Sequence, residues 1–391
     1  MFAHRTGWKR EPNAYSAALN GARARGQTLI DLTLSNPTRC NFDFDSGAIL
    51  DSLRNPASLD YDPQPQGLLP ARKAVAGYYN CHKLEAGQEQ ISPEQIFLTT
   101  STSEAYSYLF SLLCDPGDEL LIPGPSYPLF DFLADIQDVQ LRRCALFYDH
   151  GWHIDIGDIA KSIHERTRAV LVVNPNNPTG SFLHAEELRQ LTALCRNREL
   201  TLISDEVFLD YEIEAAAEVS VALCGDCLSF ALSGLSKISC VPQMKLAWMV
   251  VNGPEHLRKE AHARLEIIAD TYLSVNAPIQ YALPELLKQK QRVQSQLFER
   301  IRANLGFLDA QLESCRTVRR LNVEGGWYAT LRVPAKNSDE ELAIDLIEQA
   351  GVVVHPGHFY DFPQDGYLIV SLITPDSEFQ TGILALLQMV E

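Results

Sequence analysis

The sequence contains no apolar run approaching the ~20 residues that a helix needs to cross a bilayer, so no membrane-spanning role is expected. It is also short of positive charge. Its 33 lysines and arginines stand against 50 acidic residues, for a net charge of −17 and a pI near 5.0. Such a balance argues against nucleic acid or an anionic membrane surface as a partner. The nine cysteines are odd in number and share no repeated spacing, which fits reduced thiols rather than a disulfide framework. Cys224 and Cys227 form a C-x-x-C, but no second ligand pair or redox pattern accompanies them. Buried packing is therefore their reading, and no metal site is expected. Tandem repeats and low-complexity tracts are absent. Residues 1–13 are polar and basic without an apolar core, so no signal peptide is expected and the expected location is cytoplasmic.

What is present is length enough for more than one core. At 391 residues the chain exceeds the usual single-core limit, so two domains are expected. Residues 6–24 carry a helical pattern that ends before Gly26, and residues 29–34 read as a short strand. Later segments alternate apolar strands with helices, and His153 lies in a connecting segment and reads as structural.

The organising stretch is residues 228–248, L-S-F-A-L-S-G-L-S-K-I-S-C-V-P-Q-M-K-L-A-W. An apolar run suits a buried strand, a small-residue turn carries Lys237, and a second apolar run returns the chain inside. A lysine held between two buried strands loses solvation. Its pKa falls, and the neutral amine becomes a nucleophile suited to Schiff-base chemistry. Taken alone, the stretch fits a loop lysine on the surface equally well. Two further strands bear on that choice. Residues 168–180, R-A-V-L-V-V-N-P-N-N-P-T-G, end in a turn carrying Asn177, and residues 200–211, L-T-L-I-S-D-E-V-F-L-D-Y, deliver Asp205. The three anchors are each about one βαβ unit of ~30 residues apart. Each falls just past the carboxyl end of an expected strand, where open parallel sheets bind ligands.

This constellation resembles the fold-type I, pyridoxal-phosphate-dependent aminotransferases of class I/II, over nearly the whole chain. The resemblance implies an α/β fold with a mainly parallel seven-stranded sheet in an α/β/α large domain (45–280). It also implies a smaller α+β domain formed by an N-terminal segment (1–44) and a C-terminal one (281–391). It implies pyridoxal 5′-phosphate as cofactor, held as an internal aldimine on Lys237, with an amino donor and a 2-oxo acid as partners. In that pattern Lys237 also moves the substrate proton, Asp205 pairs with the ring nitrogen and Asn177 meets the ring oxygen. Tyr127 in G-P-S-Y-P stacks on the ring. Ser101, Thr102 and Ser103, at a helix start, cradle the phosphate with Ser233 and Ser236, although Ser101 with Glu104 equally reads as a capping box. Tyr61, in Y-D-P-Q-P-Q-G-L-L-P-A-R, matches a tyrosine that crosses a twofold homodimer interface to the partner's cofactor. This chain has one residue more before Gly67, and Ala71 where leucine is usual. Asn36 and Arg39, in S-N-P-T-R-C, are substrate-pocket candidates, and for Asn36 a turn or capping role is an equal alternative.

Three positions depart from the pattern. Lys245 stands where an arginine grips the phosphate, keeping the charge but losing the two-pronged geometry. Phe208 stands where a tyrosine touches the ring oxygen. Ile369, in the run 367–374 (Y-L-I-V-S-L-I-T), stands where an arginine binds the substrate carboxylate. Either another cation, Arg39 first, takes that task or the substrate has no carboxylate there. The functional reading is thus an aminotransferase. The alternatives are another reaction of the same cofactor on the same fold (carbon–sulfur lyase, decarboxylase or amine transaminase), and a non-catalytic sensor, which the acidic charge disfavours.

Overall fold

The computed structural model describes residues 1–81, 89–214 and 220–390. Its strands fall into three sheets. A short strand β1 (Ile30–Asp31) comes first. The main sheet follows with β2 (Ile96–Thr99), β3 (Glu119–Gly124), β4 (Gln140–Tyr148), β5 (Trp152–Ile154), β6 (Thr167–Val173), β7 (Thr201–Asp205), β8 (Ser229–Gly234) and β9 (Ala247–Asn252). The C-terminal part adds β10 (Arg319–Arg320), β11 (Tyr328–Arg332), β12 (Val352–Val353), β13 (His355–Pro356) and β14 (Tyr367–Ser371).

The main sheet runs in the order β2-β9-β8-β7-β6-β3-β4-β5. Its first seven strands are parallel apart from β9, and the three-residue β5 turns back antiparallel on β4 to add an eighth at the edge. Strands β2, β3, β7 and β8 are buried at every residue, as expected of a sheet covered on both faces. Successive side chains go to opposite faces. Trp248 and Val250 join the cluster under helices Leu69–Asn80 and Ala277–Lys288, while Met249 and Val251 join the one under helices Thr102–Leu113 and Glu255–Tyr272. This is the α/β/α arrangement the sequence led us to expect.

The smaller sheets bring the chain's two ends together. β1 pairs in parallel with β12, and β10-β11-β14-β13 form an antiparallel sheet. Helices Lys290–Leu312 and Asp376–Val390 share the core of that region with Leu32, Trp327 and Leu368. The N-terminal helix is shorter than its sequence pattern. It spans Ala14–Ala24, because Pro12 precedes Asn13, whose side chain accepts the Ser16 N–H as N-cap. Likewise only Ile30 and Asp31 of residues 29–34 pair as strand.

Candidate active site

Three neighbouring parallel strands, β6, β7 and β8, end on the same edge of the sheet, and their carboxyl ends present Asn177, Asp205 and Lys237. Lys237 sits in a one-turn helix, Leu235–Ile238, directly after β8. That turn is fixed from below. The Tyr211 hydroxyl donates to the Lys237 carbonyl at 2.7 Å, and Gln294 Nε2 donates to the Ile238 carbonyl at 2.9 Å. Gly234 is required by close approach, since a Cβ there would meet the Ala247 Cβ at 2.8 Å. The Lys237 ammonium lies 4.5 Å from the Trp327 ring centroid and 5.1 Å from that of Phe208. Burial outweighs the attraction of nearby acidic groups and lowers its pKa to about 8.

Asp205 closes β7 on the same side as Ile203, facing helix Thr102–Leu113. From that helix the Tyr106 hydroxyl donates to Asp205 Oδ2 at 2.7 Å, and the Val207 N–H donates to Oδ1 at 3.1 Å. Burial raises the Asp205 pKa to about 6, while these two donors and the Lys237 charge pull against it. The adjacent Glu206 points elsewhere, accepting from the Ser220 hydroxyl at 2.6 Å and the Val221 N–H at 2.7 Å. Of the Asp-Glu pair, only Asp205 is offered to the site.

The Asn177 loop is held by its neighbours. Asn176 Nδ2 donates to the Pro125 carbonyl at 2.9 Å, and the Asn174 N–H donates to the Asp205 carbonyl at 2.8 Å. Gly180 has φ +71°, and a Cβ there would lie 2.3 Å from Val323 Cγ2. Asn177 Oδ1 is buried with no hydrogen-bond partner among the described residues. An orphaned buried amide on the same sheet edge as a buried carboxylate and a half-buried amine marks an incomplete site. A flat, phosphate-bearing pyridine with a ring hydroxyl and an aldehyde would complete all three, so the residues present fit pyridoxal 5′-phosphate.

The other expected residues are distributed as follows. Tyr127 is half-buried at the end of β3, edge-on to Phe130, with its hydroxyl pushed up to about 12 by burial. Ser101 caps helix Thr102–Leu113 through the Glu104 N–H at 3.2 Å, so the capping reading holds for its side chain. The leading N–H groups, at Thr102 and Ser103, have no carbonyl four residues back within the helix and remain available to an anion. Ser233 lies inside β8, where its hydroxyl donates to the Glu206 carbonyl at 3.3 Å. Its proton is committed to the sheet, unlike that of the half-buried Ser236 in the Lys237 turn. Lys245 is exposed in the left-handed region at φ 52°, free of ion pairs among the described residues. Phe208 is buried and packs edge-on to Trp327. Asn36 caps the turn Pro37–Arg39 by accepting from the Thr38 N–H and hydroxyl, and Arg39 is exposed and unpaired among the described residues. Tyr61, 84% exposed, lines an open groove of about 410 Å³ with Tyr108 and Ser274. Ser274 donates to Glu104 Oε2, which links that groove to the start of helix Thr102–Leu113.

Sequence reasoning missed Tyr106, Trp327, Tyr328 and Tyr360. The last two are buried aromatics beside Tyr127 on the small-domain side of the cleft, with Ser35 next to Tyr328. Ile369 is 1% exposed, paired with Thr330 and His355. His355 accepts or donates at 2.9 Å with the Tyr360 hydroxyl, and burial lowers its pKa to about 4, so it brings no positive charge at neutral pH.

A half-buried amine of lowered pKa beside a buried carboxylate, on the ligand-binding edge of an α/β sheet, is an arrangement suited to Schiff-base chemistry. Comparison with known proteins makes the class specific. Residues 53–377 match the family described as aminotransferase class I and II, and the chain belongs to that family. The glutamate-pyruvate aminotransferase AlaA of Escherichia coli is 29% identical over 360 residues, covering 89% of this chain and 87% of that protein. The S-alkyl-thiohydroximate lyase SUR1 of Arabidopsis thaliana is 31% identical over 248 residues, 62% of this chain and 52% of that protein. Among solved structures, the alanine aminotransferase of Pyrococcus furiosus superimposes with a TM-score of 0.88 at 23% identity, covering 100% of this chain and 99% of that one, which shows the shared fold. The chain is thus a pyridoxal-phosphate-dependent enzyme of amino-group transfer between an amino acid and a 2-oxo acid. The lyase alternative is not favoured, since the lyase likeness spans a smaller share of the chain.

Proposed function

We propose that Lys237 is the residue that binds the cofactor covalently and carries the substrate proton, with Asp205, Asn177 and Tyr127 fixing the ring. The observation that carries this reading is the half-buried Lys237 amine beside a buried Asp205 and an amide oxygen of Asn177 left without a partner among the described residues. When bound, the cofactor supplies an electron sink for the carbanion formed at the substrate's Cα. With a pKa near 8, the Lys237 amine can both accept and return a proton at neutral pH. Asp205, its charge unmatched by a full ion pair, holds a proton on the ring nitrogen, and Tyr106 keeps that carboxylate oriented. The Thr102 and Ser103 N–H groups, with Ser236 and Lys245, receive the phosphate.

The active unit in this reading is a cytoplasmic twofold homodimer of chains divided at about 1–44, 45–280 and 281–391. The groove around Tyr61 supports it, because Leu59 and Leu273 line it while standing 90% and 53% exposed. Tyr61 of one subunit then reaches the other's phosphate. Among the described residues no helix is long and apolar enough to cross a membrane.

For the donor, the reading is an amino acid whose carboxylate meets Arg39. The segment that carries Arg39 runs along the end of β14, where the Ser371 hydroxyl donates to the Leu34 carbonyl, and its guanidinium is unpaired among the described residues. The test compares an amino acid with its decarboxylated amine in the wild type and in Arg39→Ala. Selective loss of the amino acid reaction supports Arg39. Equal rates with both donors, unaffected by the substitution, refute carboxylate recognition by this pocket.

A further inference from the structure

Away from the cleft, β5 and the start of helix Ala185–Asn197 bring two histidines and a glutamate together. One ligand atom from each of His153, His184 and Glu187 lies within 4.8 Å of the others. His153 Nδ1 is 3.6 Å from Glu187 Oε1, and His184 Nδ1 is 3.2 Å from Glu187 Oε2. On its far side, His184 Nε2 is 3.2 Å from Glu324 Oε1. A carboxylate only accepts, so this contact places a ring proton of His184 on Nε2. Its Nδ1 faces the Glu187 carboxylate, and His153 approaches the same carboxylate from the other side. Two carboxylates gathered around two imidazoles favour a positive charge among them.

We propose that His153, His184 and Glu187 form a zinc-binding site, with Glu324 as the carboxylate that fixes the His184 tautomer. Zinc takes nitrogen and oxygen ligands at about 2.0–2.2 Å in a tetrahedron, which sets ligand atoms roughly 3.3–3.5 Å apart, and the two histidine nitrogens lie 3.6 and 3.2 Å from the two Glu187 oxygens. A metal-bound histidine that gives its second N–H to a carboxylate is the usual outer arrangement. Glu187 is itself held ready, since Oε1 accepts the Ile154 N–H at 3.1 Å and Oε2 accepts the His184 N–H at 2.9 Å. The positive end of the helix opposes a cation here, but the charges of Glu187 and Glu324 together match those of the ion. Three protein ligands leave a fourth position for water.

The site links three parts of the chain. β5 brings His153, and the helix that follows the Asn177 loop brings His184 and Glu187. Glu324 belongs to the segment leading to Trp327, and it also accepts the Phe182 N–H at 2.8 Å. An ion there ties the Asn177 loop to the segment that places Trp327 over Lys237, a structural rather than a chemical role.

The test uses the full-length protein with its cofactor bound, stripped of metal by a chelator and titrated with zinc against a chromophoric competitor. The expected result is one ion per chain with a Kd below about 1 µM, weakened at least ~100-fold in His184→Asn and in His153→Gln and ~10–100-fold in Glu324→Gln. Asparagine is a favoured N-cap residue for position 184, and position 153 lies outside the helix, so circular dichroism of at least one variant should match the wild type. A Cys224→Ser, Cys227→Ser variant should bind as the wild type does, and the cobalt-substituted protein should lack a thiolate charge-transfer band. No tight binding, or binding that survives both histidine substitutions, overturns the proposal.

Discussion

Replacing Asp205 by asparagine should stabilise the protein freed of its cofactor while abolishing turnover. The carboxylate is 6% exposed, and burial holds its pKa at about 6 against an ordinary 3.8. The native carboxyl therefore keeps its proton up to about pH 6, whereas the unfolded one releases it near 3.8. Between those values the native state binds more protons than the unfolded state, so stability falls as pH rises through the window and levels off above it. The cost above pH 6 is about 3 kcal/mol. Asparagine carries no charge to desolvate, and its amide can keep partners at the Val207 N–H and the Tyr106 hydroxyl. At about pH 7.5 the Asp205→Asn apoprotein should melt roughly 4 °C above the wild type, while at about pH 4.5 most of the gap should vanish. Thermal unfolding followed by circular dichroism at both pH values reads this directly. Pyridoxal phosphate should raise the wild-type melting temperature much more than the variant's, because only a carboxylate answers the pyridinium charge. An apoprotein variant no more stable at neutral pH, or a gap independent of pH, would refute the account of Asp205 as an unmatched buried charge.

Three further outcomes are expected. Tyr106→Phe removes a charge-assisted hydrogen bond of ~1.5–3 kcal/mol and should deepen the fall in apoprotein stability between acid and neutral pH by about that amount. An unchanged pH profile would show that the hydroxyl does not bear on the carboxylate. The lowered pKa of Lys237 means that its neutral, nucleophilic form grows as pH rises past about 8, so borohydride-trapped cofactor on this lysine should increase through that pH and be absent in Lys237→Ala. A midpoint near 10.5, or trapping that persists in the variant, counts against it. Mixing Lys237→Ala with Tyr61→Ala chains after subunit exchange should restore about a quarter of wild-type activity, since about half the dimers then hold one intact site of two. No recovery, or a fully active monomer by sedimentation, refutes the shared site.

The residues legible in the chain are those whose signal is local. Lys237, Asp205 and Asn177 each follow an apolar run of the length and composition that suits a buried strand, and the Pro, Gly and Asn residues around them mark turns. Such patterns survive without knowledge of any partner, because strand and turn preferences act over a few residues. The same locality explains the turn role of Asn36 and the capping role of Ser101, both readable from the next two or three residues.

What the tertiary structure alone decided are the contacts across long separations. Tyr106 and Asp205 are 99 residues apart and meet only because β7 turns Asp205 toward the face that helix Thr102–Leu113 covers. Nothing near either residue announces the other. The choice of Asp205 over Glu206 likewise rests on which face each side chain leaves from, and Glu206 is claimed by Ser220 and Val221. Trp327 reaches Lys237 from the small sheet, and Ser233 gives its proton to a neighbouring strand. His153 reads as structural in isolation and meets His184 and Glu187 only because the edge strand β5 folds back on β4. Position along the chain sets which groups are available, but burial and the alternation of strand faces determine which of them meet.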